Sequence, residues 1–415
     1  MDTRADRFPL FDSLRGIAAL CVVVAHISFF GNLAQLDYAV KPYVGRLEIG
    51  VAMFFLISAF LIYRPFAAAR MREQPPLRLR SYGWRRLLRV IPGYWVALTV
   101  VALWLGSGYV FSYTPITPTF SAEGAVAYYG LSQLYFDNTL GGGLPQAWTL
   151  SVEASFYVFV PLWAWGMRRL APSSPDRLFR TEIWALAGLA LASLAYKLLV
   201  VMADGVSPID TTPTPLLSSL PGYLDMFAVG MLLAVVSVRV QDGRLKTRFL
   251  DLIERWPALT WLVAAVLFWI LCTKLGFTGE PLETMSSGTY FARHLLLAAI
   301  AAALLLPAAF GDPSRGVIRR LLGSRALMFV GLVSYGIYGY HLAVVIQLVR
   351  WDFDGSFLGD RWLGWLVVAI PASVAAGVLS YYLIERPALS LKRLVPDRRG
   401  DQPGAVSAPT APPAV

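Results

Sequence analysis

Long apolar runs recur along this chain, separated by short polar or basic connections. About 20 apolar residues, roughly 17–25, make a helix that crosses a hydrocarbon core of ~30 Å. The pattern predicts ten such spans, at about 13–30, 48–63, 87–106, 147–167, 183–202, 216–238, 257–275, 290–310, 326–349 and 362–384. One further apolar and aromatic stretch, 124–136, is too short to span and predicts an interfacial or re-entrant helix. From Pro396 the chain is rich in Pro, Ala and Gly, which predicts a disordered tail over 396–415 after one membrane domain over 1–395.

Composition agrees with the pattern. Hydrophobic residues make up 57% of the chain and charged residues 15%, against about 25% charged in soluble domains. The expected fold is all-α: a polytopic helical bundle whose partner is the lipid bilayer. The net charge of +10 does not call for nucleic acid, because the basic residues fall in alternate loops, as the positive-inside rule requires. The connections around 64–86, 168–180, 239–255 and 315–325 are basic, whereas no Lys or Arg lies between Arg89 and Arg168. The alternation holds if 124–136 does not cross, and it puts both termini on the cytoplasmic side of a bacterial inner membrane. The first run lacks a small-residue cleavage site and is followed at once by a second span, so no cleavable signal is expected. Cys21 and Cys272 both lie in apolar runs and form neither a disulfide framework nor a metal set.

Within the first span, Arg15 and His26 are eleven residues apart. That is about three helical turns, so they share a face, about 16 Å apart along the axis. Asp12 precedes them. Ionisable groups at this depth face a cavity, a partner or a substrate path; a snorkelling Arg15 and a satisfied core His26 are the plainer alternative. The fourth span opens on Trp148-Thr149-Leu150-Ser151-Val152-Glu153. Glu153 is expected at a depth similar to His26, where a carboxylate orients an imidazole; reaching the headgroups or capping the helix is the alternative. Arg86 and Arg89 lie three apart at the cytoplasmic mouth of the third span and suit phosphate groups, or simply anchor the topology. Pro92 is expected to kink or open that helix. Asp225 is expected near the middle of its span. His341 lies in the outer half of a late span, and His294 and Lys197 are expected at outer span ends, in the interface. There is no nucleophile elbow, P-loop or metal spacing.

Six pieces of the chain, taken in order, resemble membrane-bound acyltransferase family 3, bacterial O-acyltransferases related to those that acetylate O-antigen and other sugars. Asp12-Ser13-Leu14-Arg15-Gly16-Ile17-Ala18-Ala19 with His26 resembles its opening Arg-x10-His motif. Val51-Ala52-Met53-Phe54-Phe55-Leu56-Ile57-Ser58-Ala59-Phe60-Leu61 resembles its second-span signature. Arg86-x2-Arg89 with Pro92 and Tyr94 resembles its basic-loop motif, and Trp148 to Glu153 with Phe156-Tyr157 its Trp-Ser-Glu-Phe-Tyr motif. Ser334-Tyr335 to His341 and Ile384-Glu385-Arg386-Pro387 resemble its closing motifs. Ala59 stands where the family usually has glycine, and Ala154-Ser155 where it commonly has Glu-Gln. Some members carry a C-terminal extracytoplasmic hydrolase-like domain, which is not expected here.

The resemblance implies acyl transfer from cytoplasmic acyl-CoA, acetyl-CoA by default, to a hydroxyl of a carbohydrate or glycosylated acceptor, with no metal. His26 and Glu153 would serve the acceptor, and Arg86, Arg89 and Arg15 the anionic donor. Asp12, Asp225, His341, Trp148 and Ser151 form a second rank. The alternative is a transporter or flippase in which Arg15, His26, Glu153 and Asp225 line a path, though no inverted repeat is visible.

Overall fold

The computed structural model describes residues 8–31, 40–105, 122–136, 139, 142–170, 174–204, 215–277 and 285–395; the expected tail over 396–415 lies outside them. The described residues are helical and contain no strand. The longer helices are α1 (Leu10–Phe30), α2 (Ile49–Met71), α3 (Leu79–Leu98), α4 (Trp148–Arg169), α5 (Pro175–Asp204), α6 (Leu224–Gln241), α7 (Pro257–Thr273), α8 (Ser287–Ala309), α9 (Ser334–Arg350) and α10 (Arg361–Ser380).

Among the described residues six helices are long and apolar enough to cross a membrane: α1, α2, α5, α6, α8 and α10. Two bent pairs raise the number to eight if each is one span. Arg248–Arg255 meets α7 at 94°, and Arg325–Leu332 meets α9 at 70°. The segment read as one continuous span over 326–349 is therefore broken at Val333. Helices α3 and α4, of 20 and 22 residues, are long enough, at 1.5 Å per residue, for a core of ~30 Å. Helix α3 is the most polar of the ten, carrying Arg80, Arg85, Arg86 and Arg89, and α4 ends on Arg168 and Arg169. The stretch 124–136 holds only the eight-residue helix Ala122–Tyr129 and a short 3₁₀ turn, too short to cross.

Helix boundaries depart from the apolar runs where basic residues are themselves helical. Helix α3 begins at Leu79, inside what reads as a basic loop, and takes Arg80, Arg85 and Arg86 onto its surface. Arginine is a good helix former, but a hydropathy pattern does not register it. The helix runs through Pro92 and widens into a π-helix only at Thr99–Trp104. Helix α2 likewise continues through Pro65 to Met71. It carries Arg70 into a buried ion pair with Glu182, whose oxygens each accept from the Tyr63 hydroxyl at 2.9 Å.

Helix α1 packs against α2, α9, α10 and the Arg325–Leu332 helix, while α2 packs along α6. Two close approaches set these crossings. A Cβ on Gly16 would lie 2.8 Å from the Gly331 nitrogen, and one on Gly331 would collide with the Asp12 carbonyl. The α1 backbone thus meets the chain just before the Val333 break, and Arg15 sits beside that crossing. In the α2–α6 contact a Cβ on Gly230 would lie 2.6 Å from the Ala59 methyl. Gly230 on α6 leaves the room that the Ala59 methyl on α2 occupies.

Candidate active site

Helices α1, α2, α3, α4 and α9 enclose a cleft of about 280 Å³. Arg15 reaches it from α1; Arg85, Arg86 and Arg89 from α3; Phe54, Phe55 and Ser58 from α2; Thr149, Glu153 and Tyr157 from α4; Ser334, Tyr335 and Tyr338 from α9. Four arginines thus face one carboxylate across a space bounded by aromatic rings. Arg86 and Arg89 are one turn apart and project to the same side, as their spacing requires.

Each cation is held differently. The Arg86 guanidinium carbon lies 5.7 Å from the Tyr82 ring centre and 5.8 Å from that of Tyr157. Arginine stacks on such faces while leaving its N–H groups to other partners. Its Nε is buried and has no hydrogen-bond partner among the described residues. Arg89 lies 3.8 Å from the buried Glu385 and 5.7 Å from the Tyr335 ring centre. Arg15 pairs with Asp12 at 3.6 Å and is within coulombic range of Arg89 and Glu153. The Asp12 carboxylate is half-exposed, so this i,i+3 contact is a weak one.

Glu153 faces inward. Its Oε1 accepts from Ser58 Oγ at 2.5 Å and from the Tyr157 hydroxyl at 2.8 Å. The ring partner of His26 is His341 instead, with His341 Nε2 3.0 Å from His26 Nδ1. The structure therefore does not join Glu153 to His26. His26 also stacks on Phe30, with ring centres 5.8 Å apart. His26 is not among the cleft residues. Tyr338 links the two places: it lines the cleft, its hydroxyl is 2.7 Å from Thr149 Oγ1, and its ring centre is 5.7 Å from that of His341. Arg15 and His26 are thus two stations on one helix face.

The remaining second-rank residues lie apart. Trp148 packs on Tyr223 and Phe55. Ser151 is buried, and its hydroxyl donates to the Ala147 carbonyl at 3.3 Å. Asp225 is not at mid-span. The 3₁₀ turn Leu220–Gly222 delays helix α6 to Leu224 and puts Asp225 in its first turn; Pro221 and Gly222 interrupt an apolar run that reads as continuous. There Asp225 accepts from Ser193 at 3.2 Å and meets His294 Nε2 at 2.5 Å. His294 and Lys197 are not interfacial either: both are buried, with Lys197 Nζ 2.8 Å from the His294 ring nitrogens. Tyr157 in the cleft and Glu385 beside it stand in the sequence only as members of motifs, with no role attached. Tyr157 is legible as the i+4 neighbour of Glu153. Glu385 meets Arg89 from about 300 residues away, and its motif does not indicate that partner.

Fold and cleft together define a multi-pass helical membrane protein with a cationic, aromatic-walled cleft. A family model described as an acyltransferase domain matches residues 9–384, and the chain belongs to acyltransferase family 3. It is 28% identical over 416 residues to "Nodulation protein 10" of Rhizobium leguminosarum bv. viciae, covering 94% of this chain and 95% of that protein. It is 24% identical over 397 residues to "Putative peptidoglycan O-acetyltransferase YrhL" of Bacillus subtilis (strain 168), covering 91% of this chain and 54% of that one. It is 22% identical over 388 residues to "Putative O-acetyltransferase SACOL0978" of Staphylococcus aureus (strain COL), covering 91% and 57%. The chain spans little more than half the length of these last two relatives. No solved structure matches it.

Proposed function

We propose that this acyltransferase moves an acyl group, acetyl by default, from acyl-CoA to a hydroxyl of a carbohydrate or glycosylated acceptor. The observation that carries the reading is the arginine cleft, and within it the buried Arg86 Nε, which has no hydrogen-bond partner among the described residues. A buried donor left unmet costs about 1–3 kcal/mol, and a phosphate oxygen is the acceptor that an arginine fork suits. Four arginines meet three carboxylates here, Glu153 in the wall, Asp12 beside Arg15 and Glu385 beside Arg89, which leaves a net positive charge for the phosphates of CoA to meet.

In this reading Arg86, Arg89 and Arg15 bind the donor from the cytoplasmic side, and both termini of the chain face the cytoplasm of a bacterial inner membrane. The extended pantetheine arm carries the thioester from the cleft past Tyr338 toward His26, along the ~16 Å that separate Arg15 from His26 on α1. His26 takes the proton of the acceptor hydroxyl as its oxygen attacks the thioester carbonyl carbon. The carbon–sulfur bond breaks, the new ester forms, and the thiolate of CoA leaves with the proton that His26 gives back, which restores the neutral imidazole. Glu153 does not act on His26. By accepting from Ser58 it holds α2 against α4 along the cleft wall, the Tyr157 hydroxyl one turn on fixes its rotamer, and it balances part of the arginine charge. The names of the relatives, two of them O-acetyltransferases, favour acetyl and an oxygen acceptor.

The test is direct. Purified protein in detergent, given acetyl-CoA and a panel of bacterial glycans, should release CoA thiol only when an acceptor is present, and mass spectrometry should find the acetyl ester on that acceptor. Folded protein that neither consumes acetyl-CoA nor binds it would overturn the reading.

A further inference from the structure

We infer that His341 is a positioning residue: it fixes His26 as the Nδ1–H tautomer and so leaves the Nε2 lone pair of His26 to take the acceptor proton. The inference rests on the proposed acyl transfer with His26 as its base, and it follows from hydrogen-bond valence. His341 has no solvent exposure. Its Nδ1 lies 2.8 Å from the Tyr338 carbonyl oxygen and 3.2 Å from that of Ile337, on its own helix. A carbonyl oxygen only accepts, so the hydrogen of the neutral His341 ring is on Nδ1. Its Nε2 then carries a lone pair. That lone pair meets His26 Nδ1 at 3.0 Å, and the contact is a hydrogen bond only if His26 Nδ1 bears the hydrogen; the main chain of Val22, one turn back on α1, is a second hydrogen-bond partner of the His26 ring, so His341 acts together with it. The one nitrogen of neutral His26 left without a proton is Nε2.

The chain of constraint starts from backbone. Tyr338 and Ile337 lie in the first turns of α9, just past the break at Val333, and the Tyr338 hydroxyl is held by Thr149 and by the Gln146 carbonyl at 3.0 Å. The carbonyl that orients His341 is therefore itself anchored to the start of α4. The second ring nitrogen of a working imidazole is ordinarily set by such a partner. Here the partner is a second imidazole, whose own direction is set by main chain, and no carboxylate is involved. When His26 takes the proton, its Nδ1–H still points at a lone pair, so the imidazolium is supported without rearrangement.

Two substitutions separate this role from simple packing. In His341→Gln the side-chain carbonyl oxygen can occupy the place of Nε2 and accept from His26, while the bond to the Tyr338 carbonyl is lost. In His341→Asn the amide can occupy the place of Nδ1 and keep the bond to Tyr338, while the acceptor for His26 is lost. We expect His341→Gln to retain kcat within a few-fold and His341→Asn to lose at least about tenfold in kcat, with KM for acetyl-CoA unchanged in both. Asparagine that matches or exceeds glutamine, in proteins that melt alike, would overturn the inference in favour of a packing role. Nitrogen NMR of the wild-type protein with labelled histidine gives a reading that needs no variant to fold. His26 should carry its proton on Nδ1, and a proton on Nε2 overturns the inference. A wild-type protein that transfers no acyl group would sink the proposed function, while this NMR result would still decide the tautomer.

Discussion

Ser58 on α2 donates to Glu153 on α4 at 2.5 Å, and this bond sits in the wall of the cationic cleft. Both donors to the carboxylate, Ser58 and Tyr157, meet the same oxygen, Oε1. Glu153→Gln replaces a charge-assisted acceptor by a neutral one and leaves the arginines less balanced. Hydrogen bonds to charged groups contribute about 1.5–3 kcal/mol. We expect acyl transfer by Glu153→Gln to fall roughly 10- to 100-fold. Ser58→Ala should fall less, and the double variant should match Glu153→Gln alone, since residues sharing one network are not additive. Kinetics of the three variants check this; strictly multiplicative losses would mean that the bond does no work.

Arg86 and Arg89 give the donor prediction. Replacing either by Ala should raise KM for acetyl-CoA by about 10- to 150-fold, equivalent to one charge-assisted contact of about 1.5–3 kcal/mol. Arg86 is the sharper test, because its Nε has no hydrogen-bond partner among the described residues. Arg89 already has Glu385 at 3.8 Å, so its removal also releases a buried carboxylate and should lower the melting temperature, which Arg86→Ala should not. Equal KM values for wild type and both variants would leave these arginines as topology anchors.

The buried set Lys197, His294, Asp225 and Ser193 ties α5, α8 and α6 together. It shares no side chain with the cleft. Removing one partner of a buried, hydrogen-bonded charge pair costs about 3–5 kcal/mol. Asp225→Ala should therefore sharply reduce the amount of folded protein, read as the melting temperature in detergent and the yield of monodisperse protein. Asp225→Asn, which keeps an acceptor, should lose less. Should Asp225→Ala melt like wild type while losing transfer, the set would belong to the chemistry after all.

What the sequence reveals about this site follows how local each relationship is. Arg15 and His26 share a face because eleven residues on one helix fix their relation. Arg86 and Arg89 are a pair for the same reason, although the helix that bears them starts earlier than its apolar run. Asp225 illustrates a local error: Pro221-Gly222 sits inside an apolar stretch, and only the structure shows that the helix waits until Leu224. The tertiary pairs are a different matter. His26 and His341 are 315 residues apart, Ser58 and Glu153 are 95 apart, and neither carries a periodic signal. A matching depth in the bilayer made Glu153 a reasonable partner for His26, but depth leaves the rotation of each helix undetermined. The crossing of Gly16 on Gly331 decides that rotation by bringing α1 against the broken helix that bears His341.

The strongest prediction concerns His26. A hydroxyl is a poor nucleophile near neutral pH, and a base within hydrogen-bond reach contributes about 10²- to 10⁴-fold. His26→Ala and His26→Gln should insert and fold, since the side chain is only partly buried and its ring makes a stack on Phe30 and a single hydrogen bond to His341. Both should lose acyl transfer by at least about 10²-fold while still binding acetyl-CoA, because the arginine cleft lies about three turns away along α1. Adding His341→Asn to His26→Ala should cost nothing further, since a positioning residue has no effect once the group it positions is gone. Adding Arg86→Ala should still weaken acetyl-CoA binding, because that contact belongs to the other station. Binding measured by calorimetry and turnover measured by thiol release separate these outcomes. A folded His26→Ala protein that transfers acetyl at the wild-type rate would end the mechanism and move the search for the base to another group near Tyr338.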